Sequence, residues 1–286
     1  MNYEYTIDLQ RDPIDLETTL TCGQCFRWTQ KETDWHGCDG ANRYVIRQDQ
    51  DCLSVQSNAP ETSFRRLFRL DLDLGVIHAE LQSADSRLSP IIERLSGLRL
   101  MRPSDPTEPF FAFICSANNH VPRITSMVQK LATYGTAGFP TTASIATIPE
   151  SELREQGFGY RARSCVRAAQ YLLESGGMER LASLDYEMLK PELLKVPFVG
   201  PKLADCIALY SFDKTEAVPV DTHLWNAAAS MYLTKPPVRV SAKTYDELTE
   251  RMRDRFGSLA GFAQQFLFVD RLRSLGSGRW SQRPRG

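Results

Sequence analysis

Long apolar runs are absent from this sequence. None of its segments approaches the roughly 20 consecutive apolar residues that a bilayer-spanning helix needs, and the N-terminus has no basic segment followed by an apolar run and a cleavage site. We therefore expect a protein that stays in the cytoplasm and has no membrane partner.

The cysteines do not follow the pattern of a disulfide framework or of a complete metal site. There are seven, an odd number in a chain without an export signal, which favours free thiols. Cys22 and Cys25 form a C-x-x-C pair that is compatible with redox work or with half of a zinc site. Since no second pair follows at metal-ligand spacing, we predict neither a bound metal nor another cofactor.

An excess of positive charge is missing as well. The formal net charge is -1, whereas proteins that bind nucleic acid need lysine and arginine to contact phosphates. Acidic residues are frequent in the first third of the chain, however, and arginines accumulate near its end. These arginines form either a basic binding face or ordinary solvated helix surfaces, and the sequence leaves both interpretations open. They are Arg251, Arg253, Arg255, Arg271, Arg273, Arg279, Arg283 and Arg285.

The first part of the chain has the pattern of short strands. Apolar residues at helical spacing over 64–82 predict some helix as well. Residues 1–98 are therefore predicted to form an N-terminal antiparallel β-sheet domain with flanking helices. The strand-like segments, which mix β-branched and aromatic residues, are YEYTIDL (3–9), QCFRWTQ (24–30) and NRYVIRQ (42–48).

The remainder of the chain is predicted to be helical. After Pro103 apolar residues recur at helical spacing, and prolines and glycines occur where helices start and stop. The sequence has no internal repeat and no low-complexity segment. The predicted fold class is therefore α+β, with a mostly α-helical second domain over 99–286.

One stretch of this helical part, PELLKVPFVGPKLADCIALYS at 191–211, has the pattern of two helices joined by a tight turn. Gly200 in the turn is able to adopt a backbone conformation closed to other residues, and Pro201 suits the first position of the second helix. The bare N-terminus of that helix presents free N–H groups and the positive end of the helix dipole, which together form an anion site. We expect DNA phosphate as its occupant.

Lys202 lies in the first turn of the same helix. The helix dipole disfavours a cation there, so the ammonium proton should be lost more easily and the amine should become a nucleophile. Cys206 follows four residues later and therefore lies beside Lys202 on the helix surface.

Asp221 in VPVDTH (218–223) is placed to cap the next helix. Taken alone, such a residue is more often a cap than a catalyst. A carboxylate at a helix N-terminus stays ionised, however, and is able to stabilise a sugar cation or to orient an attacking amine. Together with Lys202 it predicts an enzyme.

These two segments resemble the helix-hairpin-helix DNA glycosylases. Within that superfamily the chain is most similar to the 8-oxoguanine DNA glycosylases of the eukaryotic type and their bacterial relatives. The resemblance covers nearly the whole chain, and its six motifs occur in the family's order. They are CGQCFRW (22–28), FICSANNHVPRIT (113–125), GFGYRAR (157–163), VPFVGPKLADCI (196–207), VPVDTH (218–223) and GFAQQFLF (261–268).

The resemblance implies a bifunctional enzyme that excises 8-oxoguanine opposite cytosine and then cleaves the strand by β-elimination. Lys202 would attack C1′ of the sugar and form a Schiff base, with assistance from Asp221. The carbonyl of Gly23 would accept the N7 hydrogen that 8-oxoguanine has and guanine lacks. Guanine would leave this buried acceptor unpaired, and one hydrogen bond would therefore discriminate between the two bases.

The resemblance also implies how the DNA is held once the damaged base has been flipped out of the duplex. Cys206 and Phe268 would sandwich the base, and Gln264 would read its Watson–Crick edge. Without the evidence of the motifs, we would interpret Phe268 and Tyr160 as core aromatics. Gln264 and Arg161 would be interpreted as solvated surface residues. The implied contacts to the rest of the DNA are Asn118, Arg123 and Arg161 on the orphaned cytosine, Tyr160 as a wedge in the stack, and His223 and the turn at Gly200 on phosphate.

Two positions depart from the family pattern. Phe198 stands where the family usually has glycine, which bears on the geometry of the hairpin turn and on any monovalent ion held by its carbonyls. His120 replaces the usual third asparagine and bears on how the cytosine is held.

The implied partner is double-stranded DNA that contains an oxidised purine, bound by a monomer at the nucleoid of a bacterium or in the nucleus of a eukaryote. Two other functions stay open: a monofunctional alkylpurine glycosylase of the same fold, and a non-catalytic helix-hairpin-helix DNA-binding protein. Lys202 speaks against the first, and its pairing with Asp221 against the second. Glycosylases with an iron–sulfur cluster would carry four cysteines near the C-terminus, whereas the last cysteine here is Cys206.

Overall fold

A computed structural model describes residues 2–275 of the chain. In this range a five-stranded antiparallel sheet is followed by a mostly helical part, so the α+β fold class is confirmed. The tail that carries Arg279, Arg283 and Arg285 lies outside the described residues. None of the helices between residues 2 and 275 is long and apolar enough to cross a membrane.

The sheet has the strand order β1-β5-β4-β3-β2, and every neighbouring pair is antiparallel. Its first and last strands are therefore neighbours, with Ile7 opposite Leu53. The strands are β1 (Tyr3–Asp8), β2 (Thr29–Lys31), β3 (Asp34–Asp39), β4 (Asn42–Gln48) and β5 (Cys52–Ser57).

Fifteen α-helices occur in the described part of the chain, with short 3-10 turns at Ser86–Leu88 and Gly257–Leu259. The helices are α1 (Leu16–Thr21), α2 (Glu61–Leu67), α3 (Leu74–Ala84), α4 (Ser89–Arg94), α5 (Thr107–Ser116), α6 (Val121–Ala132), α7 (Thr142–Ala146), α8 (Glu150–Glu155), α9 (Arg161–Glu174), α10 (Gly177–Ala182), α11 (Tyr186–Lys195), α12 (Pro201–Phe212), α13 (Thr222–Tyr232), α14 (Ala242–Phe256) and α15 (Ala260–Ser274).

The strand predicted over 24–30 is wrong for residues 24–28, which form a loop before β2. Gln24 accounts for the loop, because its buried side-chain amide donates to the carbonyls of Thr19 and Arg99 at 2.8 and 2.9 Å and accepts from Met101 N at 2.9 Å. The alternation of apolar and polar residues in this loop is typical of a strand. Its two aromatic side chains, Phe26 and Trp28, are nevertheless buried in two different apolar clusters.

The helical segment predicted over 64–82 consists of two helices, α2 and α3. Arg69 has a positive φ of 53°, which interrupts the helical backbone. Asp73 then starts α3, since its carboxylate accepts hydrogen bonds from Gly75 N and Val76 N. Apolar periodicity continues through the break and hides it in the sequence.

Two apolar cores lie side by side. The smaller one packs α1 and α2 against the sheet, around Trp28 and Tyr44. The larger one joins the helices of the second part, and it also takes up Ile77 and Leu81 of α3 and Ile92 of α4. Helices that precede residue 98 thus complete the larger core, while the division into 1–98 and 99–286 stays a prediction.

Candidate active site

The hairpin forms where the sequence predicts it, with α11 and α12 joined by a short turn. Pro201 begins α12, and Gly200 occupies its N-cap without a side-chain hydrogen bond to the helix. The special backbone conformation expected at Gly200 is wrong, because its φ of -98° and ψ of 179° are open to any residue. The left-handed residue is Phe198, with φ at 69°.

Space beside the turn is nevertheless open. A Cβ atom built on Gly200 would meet nothing within 4 Å. The N–H groups at the start of α12 therefore face an approach that a phosphate would fit, and the dipole of the helix favours an anion there.

Two adjoining cavities lie beside the first turn of α12. Five residues line both of them: Gly23, Phe113, Lys202, Asp221 and Phe268. We call the larger one the outer cleft; it encloses about 1040 Å³ of empty space, part of it open solvent, and its other lining residues are Phe26, Ser116, Asn118, Asn119, His120, Val121, Ile124, Thr222 and His223. We call the smaller one the inner pocket; it encloses about 320 Å³, and Cys206, Tyr210, Pro219 and Gln264 complete its lining.

Lys202 lies at the junction of the two cavities and is half-buried. Its Nζ stands 5.9 Å from the centre of the Phe113 ring, a cation–π contact that holds the amine over the pocket wall. Phe113 in turn stacks on Tyr210, with 5.0 Å between the ring centres. Phe113 is thus a site residue that the sequence interpretation missed, because nothing in FFAFI distinguishes it from the core phenylalanines beside it.

The pKa of Lys202 does not shift in the direction that the helix dipole suggested. Burial lowers it, but the neighbouring Cys206 and the Asp221 carboxylate together outweigh burial, and the pKa lies above its ordinary value. Lys202 is therefore an ammonium ion in the free protein at neutral pH. Burial has the opposite effect on Cys206 and raises its pKa to about 11 although Lys202 lowers it, so Cys206 is a neutral thiol.

Asp221 caps α13, as its position in VPVDTH predicts. One carboxylate oxygen accepts hydrogen bonds from His223 N and Leu224 N, both at 2.9 Å. These bonds fix the orientation of the carboxylate, which lines both cavities with Lys202. The two groups form no ion pair among the interactions of the described residues.

Gly23 stands on the loop between α1 and β2. Its φ of 84° lies in the left-handed region, where glycine is favoured. A Cβ atom added there would meet only Val121, at 3.8 Å, so backbone conformation rather than space requires the glycine. The neighbouring Gln24 anchors this loop, and Gly23 lines both cavities.

Gln264 is a buried residue of α15 rather than the surface residue that helical spacing alone suggests, because only 3% of it is exposed. Its Oε1 is buried without a hydrogen-bond partner, although the residue lines the inner pocket. An unpaired buried carbonyl is costly, which points to a ligand that completes it. Cys206 and Phe268 line the same pocket.

The residues expected to contact the rest of the DNA are more scattered. Asn118 and His223 line the outer cleft, and the His223 ring meets Phe268 edge-on at 6.0 Å. Arg123, Tyr160, Arg161 and Gly200 line neither cavity. Their assigned contacts stay predictions.

Arg161 is buried, unlike the solvated arginine that its charge alone suggests. Its guanidinium donates to the carbonyl of Ala117 and, at 2.8 Å, to that of Asn118. Tyr160 is 54% exposed, and its hydroxyl donates to the same Ala117 carbonyl at 2.9 Å. Arg161 and Tyr160 therefore support the turn in which Asn118 adopts a positive φ of 47°.

Three of the arginines near the end of the described residues make hydrogen bonds within the protein. Arg253 donates to the hydroxyl of Tyr186, and Arg255 donates to the carbonyl of Ala84. Arg273 is bound to Thr18. These arginines tie the last helices to the rest of the molecule. Arg123 likewise donates to the Gly157 carbonyl, at 3.1 Å.

Cys22 and Cys25 are free thiols, and Cys22 is buried. Burial raises the pKa of Cys22 to about 11 and that of Cys25 well above its usual value, so neither is a reactive thiolate at neutral pH. No cluster of three or more histidine, cysteine or acidic residues suited to a metal ion occurs between residues 2 and 275.

Comparison with known proteins agrees with this geometry. Residues 6–110 match the family described as "8-oxoguanine DNA glycosylase, N-terminal domain", and residues 111–258 match "HhH-GPD superfamily base excision DNA repair protein". The chain belongs to the 8-oxoguanine DNA glycosylase family. The family identified from the six motifs is therefore confirmed.

Individual members of the family cover nearly all of this glycosylase. It is 29% identical to N-glycosylase/DNA lyase OGG1 of Arabidopsis thaliana, over 94% of this chain and 80% of that protein. It is 31% identical to the Clostridium acetobutylicum 8-oxoguanine glycosylase/lyase, solved in complex with double-stranded DNA containing cytosine opposite 8-oxoguanine. That structure has a TM-score of 0.82, over 92% of this chain and 93% of the other.

A more distant likeness shows the fold alone. The 3-methyladenine DNA glycosylase of Archaeoglobus fulgidus is 16% identical to this glycosylase, with a TM-score of 0.73 over 95% of this chain and 99% of that one.

Proposed function

We propose that the protein removes 8-oxoguanine opposite cytosine from double-stranded DNA and then cleaves the strand by β-elimination. The observation that carries this proposal is the inner pocket itself. Lys202 and Asp221 line it together with Gly23 and with Gln264, whose side-chain carbonyl is unpaired. The polar edges of a flipped purine would form hydrogen bonds with Gly23 and with Gln264.

Lys202 carries the chemistry after losing its ammonium proton. Its nitrogen forms a bond to C1′ of the sugar while the bond between C1′ and N9 of the base breaks, and the base leaves with that electron pair and takes up a proton. Asp221 stabilises the positive charge that develops on the sugar, because its carboxylate is fixed by two backbone N–H groups.

Strand cleavage follows from the covalent intermediate. Ring opening gives a Schiff base between Lys202 and C1′, which acidifies the proton on C2′. Loss of this proton and departure of the 3′ phosphate with the electron pair of the C3′–O3′ bond complete β-elimination. A glycosylase without the lysine has no route to this second step, which argues against the monofunctional alternative.

Recognition of the lesion depends on one hydrogen bond. N7 of 8-oxoguanine carries a hydrogen that would be donated to the Gly23 carbonyl, whereas N7 of guanine is itself an acceptor. Guanine would bring two acceptors together in a buried place, at a cost of about 1–3 kcal/mol for the unsatisfied group. Cys206 and Phe268 would pack on the faces of the base, and Gln264 would bond its Watson–Crick edge.

The other parts of the proposal concern the DNA around the lesion. Asn118 would contact the orphaned cytosine, with Arg123 and Arg161 beside it. Tyr160 offers an exposed ring as the wedge, and His223 lies in the outer cleft as a phosphate ligand. We further propose that the protein acts as a monomer, in the cytoplasm of a bacterium or the nucleus of a eukaryote, wherever its DNA lies.

A borohydride trap tests the central step. Incubating the protein with a duplex that contains 8-oxoguanine opposite cytosine should give a covalent protein–DNA adduct, because borohydride reduces the Schiff base. Lys202→Gln should give none. Lys195→Gln is the matched control, since Lys195 lies in the same hairpin but is exposed and paired with Glu192.

Equal adduct yields from Lys202→Gln and from the wild type would refute the assignment of the nucleophile. Base release without any adduct from the wild type would favour the monofunctional alternative. Binding without base release would favour the non-catalytic one.

A further inference from the structure

A buried carboxylate lies on α12 beside the catalytic lysine and outside both cavities. Asp205 is fully buried, one residue before Cys206 and three after Lys202. It accepts hydrogen bonds from the hydroxyls of Tyr186 and Tyr245, both at 2.6 Å, and pairs with Lys190 at 3.0 Å. Three donors thus compensate the burial of one charge.

Tyr245 connects this carboxylate to the segment that leads into Asp221. Its hydroxyl oxygen accepts a hydrogen bond from Val220 N at 3.4 Å, while its proton goes to Asp205. The carbonyl of Val218 lies 3.5 Å from the same oxygen. Val220 N has no other acceptor among the described residues, and Val220 is the residue directly before Asp221.

We propose that Tyr245, held by the Asp205 carboxylate, is a positioning residue that ties the backbone before Asp221 to the helix that carries Lys202. The chain of contacts runs from α12 through Asp205 and the Tyr245 hydroxyl to Val220 N. One buried phenol on α14 thereby fixes the spacing between the two catalytic groups. This inference rests on the proposed function.

Tyr186 provides a matched comparison within the same cluster. Its hydroxyl donates to the same carboxylate at the same distance, and both tyrosines are buried. Tyr186 does not touch the segment before Asp221; its other partners are Lys190 at 3.4 Å and Arg253 at 3.2 Å. Removing either hydroxyl deprives Asp205 of one hydrogen-bond donor. Only the removal of the Tyr245 hydroxyl also breaks the hydrogen bond from Val220 N.

The test compares Tyr245→Phe with Tyr186→Phe in single-turnover excision from a duplex with 8-oxoguanine opposite cytosine. We expect the rate of Tyr245→Phe to fall by about tenfold or more, because small displacements of catalytic groups are costly. The rate of Tyr186→Phe should stay within about twofold of the wild type. Loss of the Tyr186 hydroxyl lowers the stability of the fold but does not change the spacing between Lys202 and Asp221. Both variants should have lower melting temperatures.

DNA affinity separates positioning from a general loss of structure. It is measured with each tyrosine variant in the Lys202→Gln background, which leaves the lesion intact, and should match that of Lys202→Gln alone. Asp205→Asn, which keeps the shape of the side chain, should lower the excision rate as Tyr245→Phe does.

Equal excision rates for Tyr245→Phe and Tyr186→Phe would overturn the inference, as would a loss of DNA affinity that accounts for the whole rate effect. A wild-type protein that neither excises the base nor forms the borohydride adduct would instead count against the proposed function.

Discussion

In the hairpin turn, Phe198 adopts the left-handed backbone conformation that favours glycine, whereas Gly200 adopts an extended conformation that is open to any residue. Phe198 adopts a φ of 69°, whereas Gly200, two residues later in the same turn, adopts an extended φ of -98°. A left-handed conformation costs a residue with a side chain about 1–2 kcal/mol. The Phe198 ring is 54% exposed, so little burial offsets that cost. The hairpin turn beside Lys202 is therefore strained at one identified position.

Phe198→Gly should stabilise the protein. Relief of the left-handed strain outweighs the extra flexibility of glycine in the unfolded chain, and we expect the free energy of unfolding to rise by up to about 1 kcal/mol. That gain corresponds to a melting temperature higher by about 2–4 °C. Thermal unfolding followed by circular dichroism would measure it.

Gly200→Ala is the control for that change. Its backbone conformation suits alanine and its Cβ atom would meet open space, so the melting temperature should stay the same or rise slightly. A lower melting temperature for Phe198→Gly would contradict the interpretation of strain.

Gln264→Leu should separate stability from activity. The change removes a buried oxygen that has no partner, so the melting temperature should be maintained or raised. Excision of 8-oxoguanine should fall by about tenfold or more, because the base loses a hydrogen bond in the pocket. Gln265→Leu should behave in the opposite way and lower stability, since the Gln265 side chain bonds Tyr210 and Cys22. A lower melting temperature for Gln264→Leu would mean that the Gln264 side-chain oxygen already has a hydrogen-bond partner in the free protein.

Asn118→Ala should loosen the preference for cytosine opposite the lesion. Asn118 is exposed in the outer cleft, so the ratio of excision rates opposite cytosine and adenine should fall by about tenfold while binding to undamaged DNA changes little. Arg161→Ala should lower both this ratio and the melting temperature, because it removes the buried guanidinium that donates to the Ala117 and Asn118 carbonyls. Arg163→Ala, at an exposed position, should change neither. An unchanged ratio in both test variants would exclude these two residues from reading the cytosine.

Glu108 should make stability depend on pH. Burial raises its pKa from 4.5 to about 7, although the Arg27 guanidinium at 2.9 Å opposes the shift. The folded protein therefore holds a proton that the unfolded chain releases between these two values. Stability should fall as pH rises from about 4.5 to 7, by roughly 3 kcal/mol from this group alone.

Urea unfolding of the wild type and of Glu108→Gln across this range would measure the effect. The variant does not titrate, so its advantage relative to the wild type should grow as pH rises. A constant difference would mean that Glu108 does not change its charge in this interval.

The motifs predicted the catalytic pair and the recognition residues because each had a local signal, and the structure brings Lys202, Asp221, Gly23, Cys206, Gln264 and Phe268 to one pocket. Asp221 has the sequence of a helix cap, and Lys202 follows the Gly-Pro start of a helix. Long-range contacts had no such signal. Phe113 is part of the site because α12 places Lys202 over its ring, a contact that the local sequence around Phe113 does not indicate.

Tertiary contacts also explain the wrong predictions. Residues 24–28 form no strand because the Gln24 amide binds backbone groups of two distant segments, at Thr19 and at Arg99 and Met101. The pKa of Lys202 rises because Cys206 and Asp221 lie near it and together outweigh the effect of burial. The positive φ occurs at Phe198 although glycine stands close by, and residue preference alone does not indicate it.

The packing of α3 and α4 makes the helical half dependent on what precedes it. Ile77, Leu81 and Ile92 belong to the larger core, where α3 contacts α14 and α4 contacts α15. A fragment that starts at residue 99 would expose this part of the core to water and would lose the loop that presents Gly23. Lesion recognition and bond cleavage are therefore folded as one unit, and separate expression of the two halves should yield no pocket in either.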